Sequence, residues 1–282
     1  MGRLVCWYSH GAASLIAAKK ALELQPKLYP NYEIIVACIY IENELHEPGR
    51  DSEVEKFLGH KITYLRDEKY GANVDEVIKK TKYMSGVAGA RCTKELKKAV
   101  RLNWQMDGDV HVFGMTAEEE HRVNNLIDTE PDLEIFAPLI DLNLSKKDCF
   151  NIMLDAGLDL PKMYKLGYHN NNCIGCLKAG GAGYWNKIRA DFPDVFERRS
   201  KQEELLNVAI CKMSEKKIIR EYPQVIKEME SDGYQRKVDS RGAMRIPLRY
   251  LPPDAGSHKD LDIGDCGFFC EIKDENQYKL NF

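Results

Sequence analysis

The chain opens on a short apolar run, residues 3–8 (RLVCWY), that stops at Ser9-His10-Gly11-Ala12-Ala13-Ser14. An alanine-rich pattern with helical spacing follows to about Gln25, where Pro26 and Pro30 are expected to end it. Residues 33–41 (EIIVACIYI) are almost continuously apolar and β-branched, as in a parallel strand covered on both faces. The spacing then predicts a helix over Glu53–Leu58, an alternating strand over Lys61–Leu65, and helices over Val74–Tyr83 and Thr93–Leu102. Buried strands are expected at Val110–Gly114 and Glu134–Leu139. Ser145, with Asp148 behind it, predicts a capping box opening a helix from Lys146 to about Ala156. Strands alternating with helices over residues 1–157 imply an α/β fold, a doubly wound and mostly parallel sheet of about five strands.

After Gly157 the pattern changes. Asn170–Cys176 is a turn-rich loop and Lys178–Gly183 is rich in glycine. Helices are expected over Tyr184–Ala190 and about Pro193–Met213, and the charged stretch after Ser214 reads as an exposed helix and linker. The tail holds Arg245–Leu251, Pro252-Pro253 and Cys266-Gly267-Phe268-Phe269-Cys270. The expected organisation is an α/β domain over 1–157 and a helical, cysteine-containing extension over 158–282 packed on it.

Composition narrows the classes. With 282 residues, 44% hydrophobic and 30% charged, the chain has the means to bury a core, which excludes disordered, collagen-like and small disulfide-stapled classes. Lys and Arg number 41 against 44 Asp and Glu, net −3, so no global basic field indicates nucleic acid, although local basic clusters remain. No stretch approaches the roughly 18 apolar residues of a membrane span. The N-terminal MGRLVCWYSH lacks the features of an export signal. Nine cysteines, an odd number, therefore point to a reducing cytoplasm and to core residues, metal ligands or reactive thiols.

Four constellations could carry chemistry. A strand ending in Ser9-x-Gly11-x-x-Ser14 and running into a helix start offers backbone N–H groups, hydroxyls and the helix dipole to an anion. The Walker spacing is absent, and the same residues also make an ordinary turn with a serine N-cap. Around Cys92, the residues Lys94, Lys97, Lys98 and Arg101 recur at helical spacing, either a phosphate clamp beside a thiol or a solvated basic face. Gly114–Arg122 follows a strand end, where Glu119 and Arg122 would meet a ligand or merely pair with each other, and His121 reads as a surface residue. Cys173-x-x-Cys176 and Cys266-x-x-x-Cys270 fit one centre, zinc or [4Fe–4S], that ties the tail to the sheet. Cys6, Cys38, Cys149 and Cys211 lie in strand or helix patterns and are expected in the core. Tyr184 and Trp185 are expected to pack, and Arg189, Arg198 and Arg199 to be solvated, in preference to contacting a substrate or nucleic acid.

The motifs fall in an order that bears comparison: SHGAAS after a strand, Arg91-Cys92-Thr93-Lys94, Gly114 to Arg122, Pro138-Leu139-Ile140-Asp141, Leu166-Gly167-Tyr168 and Asn171 to Cys176. Over about residues 3–205 this order resembles the phosphoadenosine-phosphosulfate (PAPS) reductase and ATP-pyrophosphatase superfamily, the adenine-nucleotide α-hydrolase-like fold. It is most similar to phage and bacterial proteins described as PAPS reductases or sulfotransferases, whose tails also carry a CGxFC-like element. The resemblance implies an enzyme binding an adenine sulfonucleotide through Ser9, His10, Gly11, Ala12, Ala13, Ser14, Lys94, Lys97, Gly114, Glu119 and Arg122. A thiolate, Cys92 or Cys266, would attack the sulfonate sulfur, with a thioredoxin-like dithiol as donor. Asp265-Cys266-Gly267 echoes the family's nucleophile segment, but Phe269 stands where a histidine would, which leaves Cys266 divided between nucleophile and metal ligand.

ATP-pyrophosphatase members carry SGGxDS; here His10 and Ala13 replace the glycine and the acid. Losing a carboxylate weakens a Mg²⁺–triphosphate site and leans the reading towards PAPS over ATP. The alternatives kept are ATP-dependent adenylation with sulfur transfer, using Mg²⁺, and a metal-stabilised nucleotide-binding module without turnover. Homo-oligomer formation stays open.

Overall fold

A computed structural model describes residues 2–86, 89–261 and 263. The described residues fall into two compact units: those within 2–72 and 95–167, and those within 73–94 and 168–263. The sequence changes character at Gly157, whereas the chain leaves the first unit at Gly167, and residues 73–94 belong to the second.

The first unit is α/β, with a five-stranded, all-parallel sheet flanked by helices, consistent with a doubly wound Rossmann-like fold. Strand β1 (Arg3–Trp7) is central. Strands β2 (Glu33–Ile39) and β3 (Ile62–Leu65) lie to one side, Val110–Val112 and Glu134–Phe136 to the other. From β1 the chain passes through helix α1 (Ala12–Leu28) to β2 and through α2 (Arg50–Leu58) to β3. From Val110–Val112 it passes through Glu120–Thr129 to Glu134–Phe136 on the opposite side, so connections diverge between β1 and Val110–Val112.

Period-two alternation gives each face of β1 its own core. Leu4, Cys6 and Tyr8 join the apolar cluster built with Ile16 and Ala17 of α1. Trp7 faces elsewhere: its indole donates to His111 Nδ1 at 2.9 Å and lies edge-on to Trp104. Burial, aided by Arg101, pushes the His111 pKa down to about 4, which keeps the ring a neutral acceptor. The four cysteines expected in the core, Cys6, Cys38, Cys149 and Cys211, are fully buried.

Three expectations are corrected. Helix α1 runs through Pro26 to Leu28. A proline so close to a helix end removes only one backbone bond, and the Gln25 amide ties down the segment that follows by donating to the Tyr29 and Tyr32 carbonyls at 2.8 and 3.0 Å. Instead of one regular helix over Thr93–Leu102, Thr93–Lys98 forms a π-helical stretch that continues as Ala99–Trp104. The helix expected to reach Met213 ends at Leu206, where Asn207 turns left-handed at φ 51°. Beyond it Cys211–Ser214 pairs antiparallel with Ala243–Ile246. The Ser145–Asp148 capping box forms as expected.

In the second unit the helices Ala182–Asp191 and Pro193–Leu206 pack together beside that strand pair. The glycines near residue 180 serve a backbone crossing. A Cβ on Gly183 would lie 2.2 Å from the Ser257 carbonyl oxygen, and one on Gly256 would lie 2.0 Å from the Gly183 nitrogen. Asp260 accepts from the Gly183 and Ser257 N–H groups at 2.8 and 3.0 Å, so the chain up to Leu261 is anchored by these contacts. Among the described residues, no helix is long and apolar enough to cross a membrane.

Candidate functional site

In open α/β sheets the crevice for a ligand lies beyond the carboxyl ends of the strands where connections diverge. Here that place is occupied by Ser9–Ser14, between β1 and α1. Ser14 Oγ accepts from the Ser9 N–H and the Ser9 hydroxyl, both at 3.1 Å, and donates to the Gly11 carbonyl at 3.0 Å. The turn is thus shaped by its own hydroxyl pair. Gly11 is the N-cap of α1, without a side-chain cap, and no acidic residue sits in the first helical turn. Both features suit an anion at the positive end of the helix dipole.

Gly114, beyond Val110–Val112, approaches this turn. A Cβ there would lie 2.4 Å from the Ser14 Cα and nitrogen, so only glycine lets the two chain segments meet. Gly11 differs: the atoms nearest to a Cβ there would be the Tyr164 hydroxyl at 3.4 Å and the Ser9 and Ser14 hydroxyls at 3.7 and 3.9 Å. Gly114 therefore shapes the turn, while Gly11 leaves space beside the two serines.

His10 carries the turn's unusual backbone. Its φ of 57° is left-handed, a region costing a non-glycine residue about 1 kcal/mol. The ring points to the end of β2, with Nδ1 3.1 Å from Glu44 Oε2 and Nε2 3.6 Å from Cys38 Sγ. Glu44 is buried and also binds the Lys97 ammonium at 3.2 Å. Burial opposes ionisation of Glu44, yet Lys97 and His10 hold its carboxyl below the ordinary carboxylate range. Burial likewise opposes charge on His10, but Cys38 and Glu44 beside it raise its pKa well above the usual value. Burial pushes the Cys38 thiol up, while the His10 ring beside it pulls the other way.

Two of the expected ligand contacts, His10 and Lys97, are thus brought together through a carboxylate that the sequence did not single out. Glu44 lies in the polar stretch Glu42-Asn43-Glu44, and nothing local distinguishes the buried acid from its exposed neighbour Glu42. Glu119 closes a capping box with Thr116 and pairs with Arg122, the local ion pair weighed from the sequence. His121 is exposed, as expected. Cys92 and Lys94 fall in the second unit.

The cysteine loop is also in the second unit. Cys173 and Cys176 are both buried, and the Cys176 N–H donates to the Tyr184 hydroxyl at 2.9 Å. Arg199, expected in solvent, is fully buried. Its Nε donates to the Gly175 carbonyl at 3.2 Å and its Nη1 pairs with the half-buried Asp75, so the loop's carbonyl and the acid share one buried guanidinium. Arg189 is also held, donating to the Leu251 carbonyl at 2.8 Å. Tyr184 and Trp185 pack in the core as expected. Among the described residues no group of three His, Cys, Asp or Glu side chains is placed to hold a metal. These residues supply two thiols of the expected four; Cys266 and Cys270 lie outside the described residues.

No protein-family model matches the chain, and no curated protein matches it.

Proposed function

We propose that the chain binds an adenine sulfonucleotide, PAPS in the favoured version, at the Ser9–Ser14 turn and transfers or reduces its sulfonate group with a thiol. The observation that carries this reading is the α1 N-terminus, uncapped by any side chain and free of acids, at the diverging strand ends and beside two serine hydroxyls. Ala13 offers no carboxylate there, which favours a sulfonucleotide over a Mg²⁺-bound triphosphate. The nucleophile in this reading is Cys92 or Cys266, attacking sulfur with the nucleoside bisphosphate as leaving group. The resulting thiosulfonate is released as sulfite by a thioredoxin-like dithiol, which becomes a disulfide. Cys173 and Cys176, with Cys266 and Cys270, would hold zinc or an iron–sulfur cluster that fixes the loop and the tail.

The test is to purify the full chain anaerobically and assay PAPS, its 3′-dephospho analogue and ATP side by side with a dithiol. Sulfite from a sulfonucleotide is expected. Pyrophosphate and AMP from ATP would replace this reading with substrate adenylation, and tight nucleotide binding without any product would make the chain a binding module.

A further inference from the structure

We propose that His10 is a positioning residue: its imidazolium clamps the anion-binding turn to the buried Glu44–Lys97 pair, so that the anion affinity of the turn depends on the charge of His10. This rests on the turn being the anion site. A left-handed residue in a tight turn is most cheaply glycine, and a histidine there must recover its conformational cost through its ring.

That ring has charged and polar neighbours on every element packed against it. Tyr8, just after β1, lies edge-on at 5.0 Å, and Cys38 of β2 approaches Nε2 at 3.6 Å. From the segment after β2, Glu44 holds Nδ1 at 3.1 Å and His46 lies edge-on at 6.2 Å. Asp51 of α2 lies 3.7 Å from Nε2, and Lys97 reaches the same Glu44 carboxylate at 3.2 Å from the π-helical stretch. Glu44 thus contacts two cations, while Asp51, half exposed, pairs with His10 more weakly because water screens it.

When His10 loses its proton, the Glu44 carboxylate keeps Lys97 but no longer holds the turn by charge. Ser9–Ser14 then loses both the clamp and a nearby cation. The direction is fixed by the sign: the charged form prevails at lower pH, so anion binding weakens as the solution becomes alkaline.

The experiment follows binding of adenosine 3′,5′-bisphosphate and of inorganic pyrophosphate to the full chain over about pH 6 to 10, with imidazole NMR of His10 in parallel. Wild type is expected to lose about tenfold in affinity on the alkaline side. His10→Gly, which suits the left-handed backbone, should bind weakly with that step gone, and Glu44→Gln should move both the step and the His10 titration to lower pH. A folded His10→Gly protein with wild-type affinity and pH profile overturns the clamp while leaving the anion site standing. A His10 ring titrating at its ordinary value in wild type overturns it without any variant. Failure of wild type to bind either probe at any pH removes the anion site and the clamp together.

Discussion

Two carboxylates, one in each unit, are buried in opposite ways. Glu44 in the first unit receives Lys97 and His10, and its carboxyl is held below the ordinary range despite burial. Glu203 in the second is only 1% exposed and accepts the Ile210 and Leu248 N–H groups at 2.7 and 2.6 Å. Burial pushes its pKa up to about 7, against the pull of those two N–H groups and of the more distant Arg245. The difference shows what decides ionisation inside this protein. Backbone donors pull the Glu203 pKa down less than burial raises it, whereas the cations in contact with Glu44 outweigh its burial. Glu44 belongs to an electrostatic site, whereas Glu203 ties the helix Pro193–Leu206 to two backbone segments.

The sharpest way to break this comparison is Glu44→Ala, which removes the buried carboxylate that both Lys97 and His10 contact. It should cost about 3–5 kcal/mol in unfolding free energy, read by denaturant titration. A loss below about 1 kcal/mol would mean the pair is solvated as a surface ion pair is.

Glu203 predicts a smaller effect with a distinct pH signature. Its folded pKa is raised from 4.5 to about 7, so its contribution is fully present below pH 4.5 and is lost as pH rises through about 7. The loss is on the order of 3 kcal/mol. Glu203→Gln, which turns one acceptor into a donor facing an N–H group, should cost about 1–3 kcal/mol at low pH and flatten this dependence. Melting curves at several pH values check both points; equal slopes for the two proteins would assign the pH dependence elsewhere.

The contrast also marks how far the sequence could be read. The parallel sheet was legible because residues 34–41 are unbroken in apolar side chains and VHVF nearly repeats that character. The turn was legible because serine, glycine and a following alanine-rich helix lie within six positions of one another. Glu44, Glu203 and Arg199 were not, since burial of a charged residue is decided by partners distant in sequence: Lys97 for Glu44, Leu248 for Glu203 and Asp75 for Arg199. The strands Cys211–Ser214 and Ala243–Ile246 escaped for a related reason: each is four residues long, and their alternation is visible only once they pair.

The account stands on Ser9–Ser14 as the nucleotide-binding turn, and Gly11→Val tests it most directly. Gly11 has an extended backbone that valine adopts freely, and a Cβ there meets nothing closer than the Tyr164 hydroxyl at 3.4 Å, so the comparison is made on variant protein whose melting curve shows it folded. The added methyl groups would occupy the space between the serine hydroxyls and a bound phosphate. Calorimetric titration with PAPS should show at least a tenfold loss of affinity, about 1.4 kcal/mol. Wild-type affinity in a folded Gly11→Val protein would contradict the assignment.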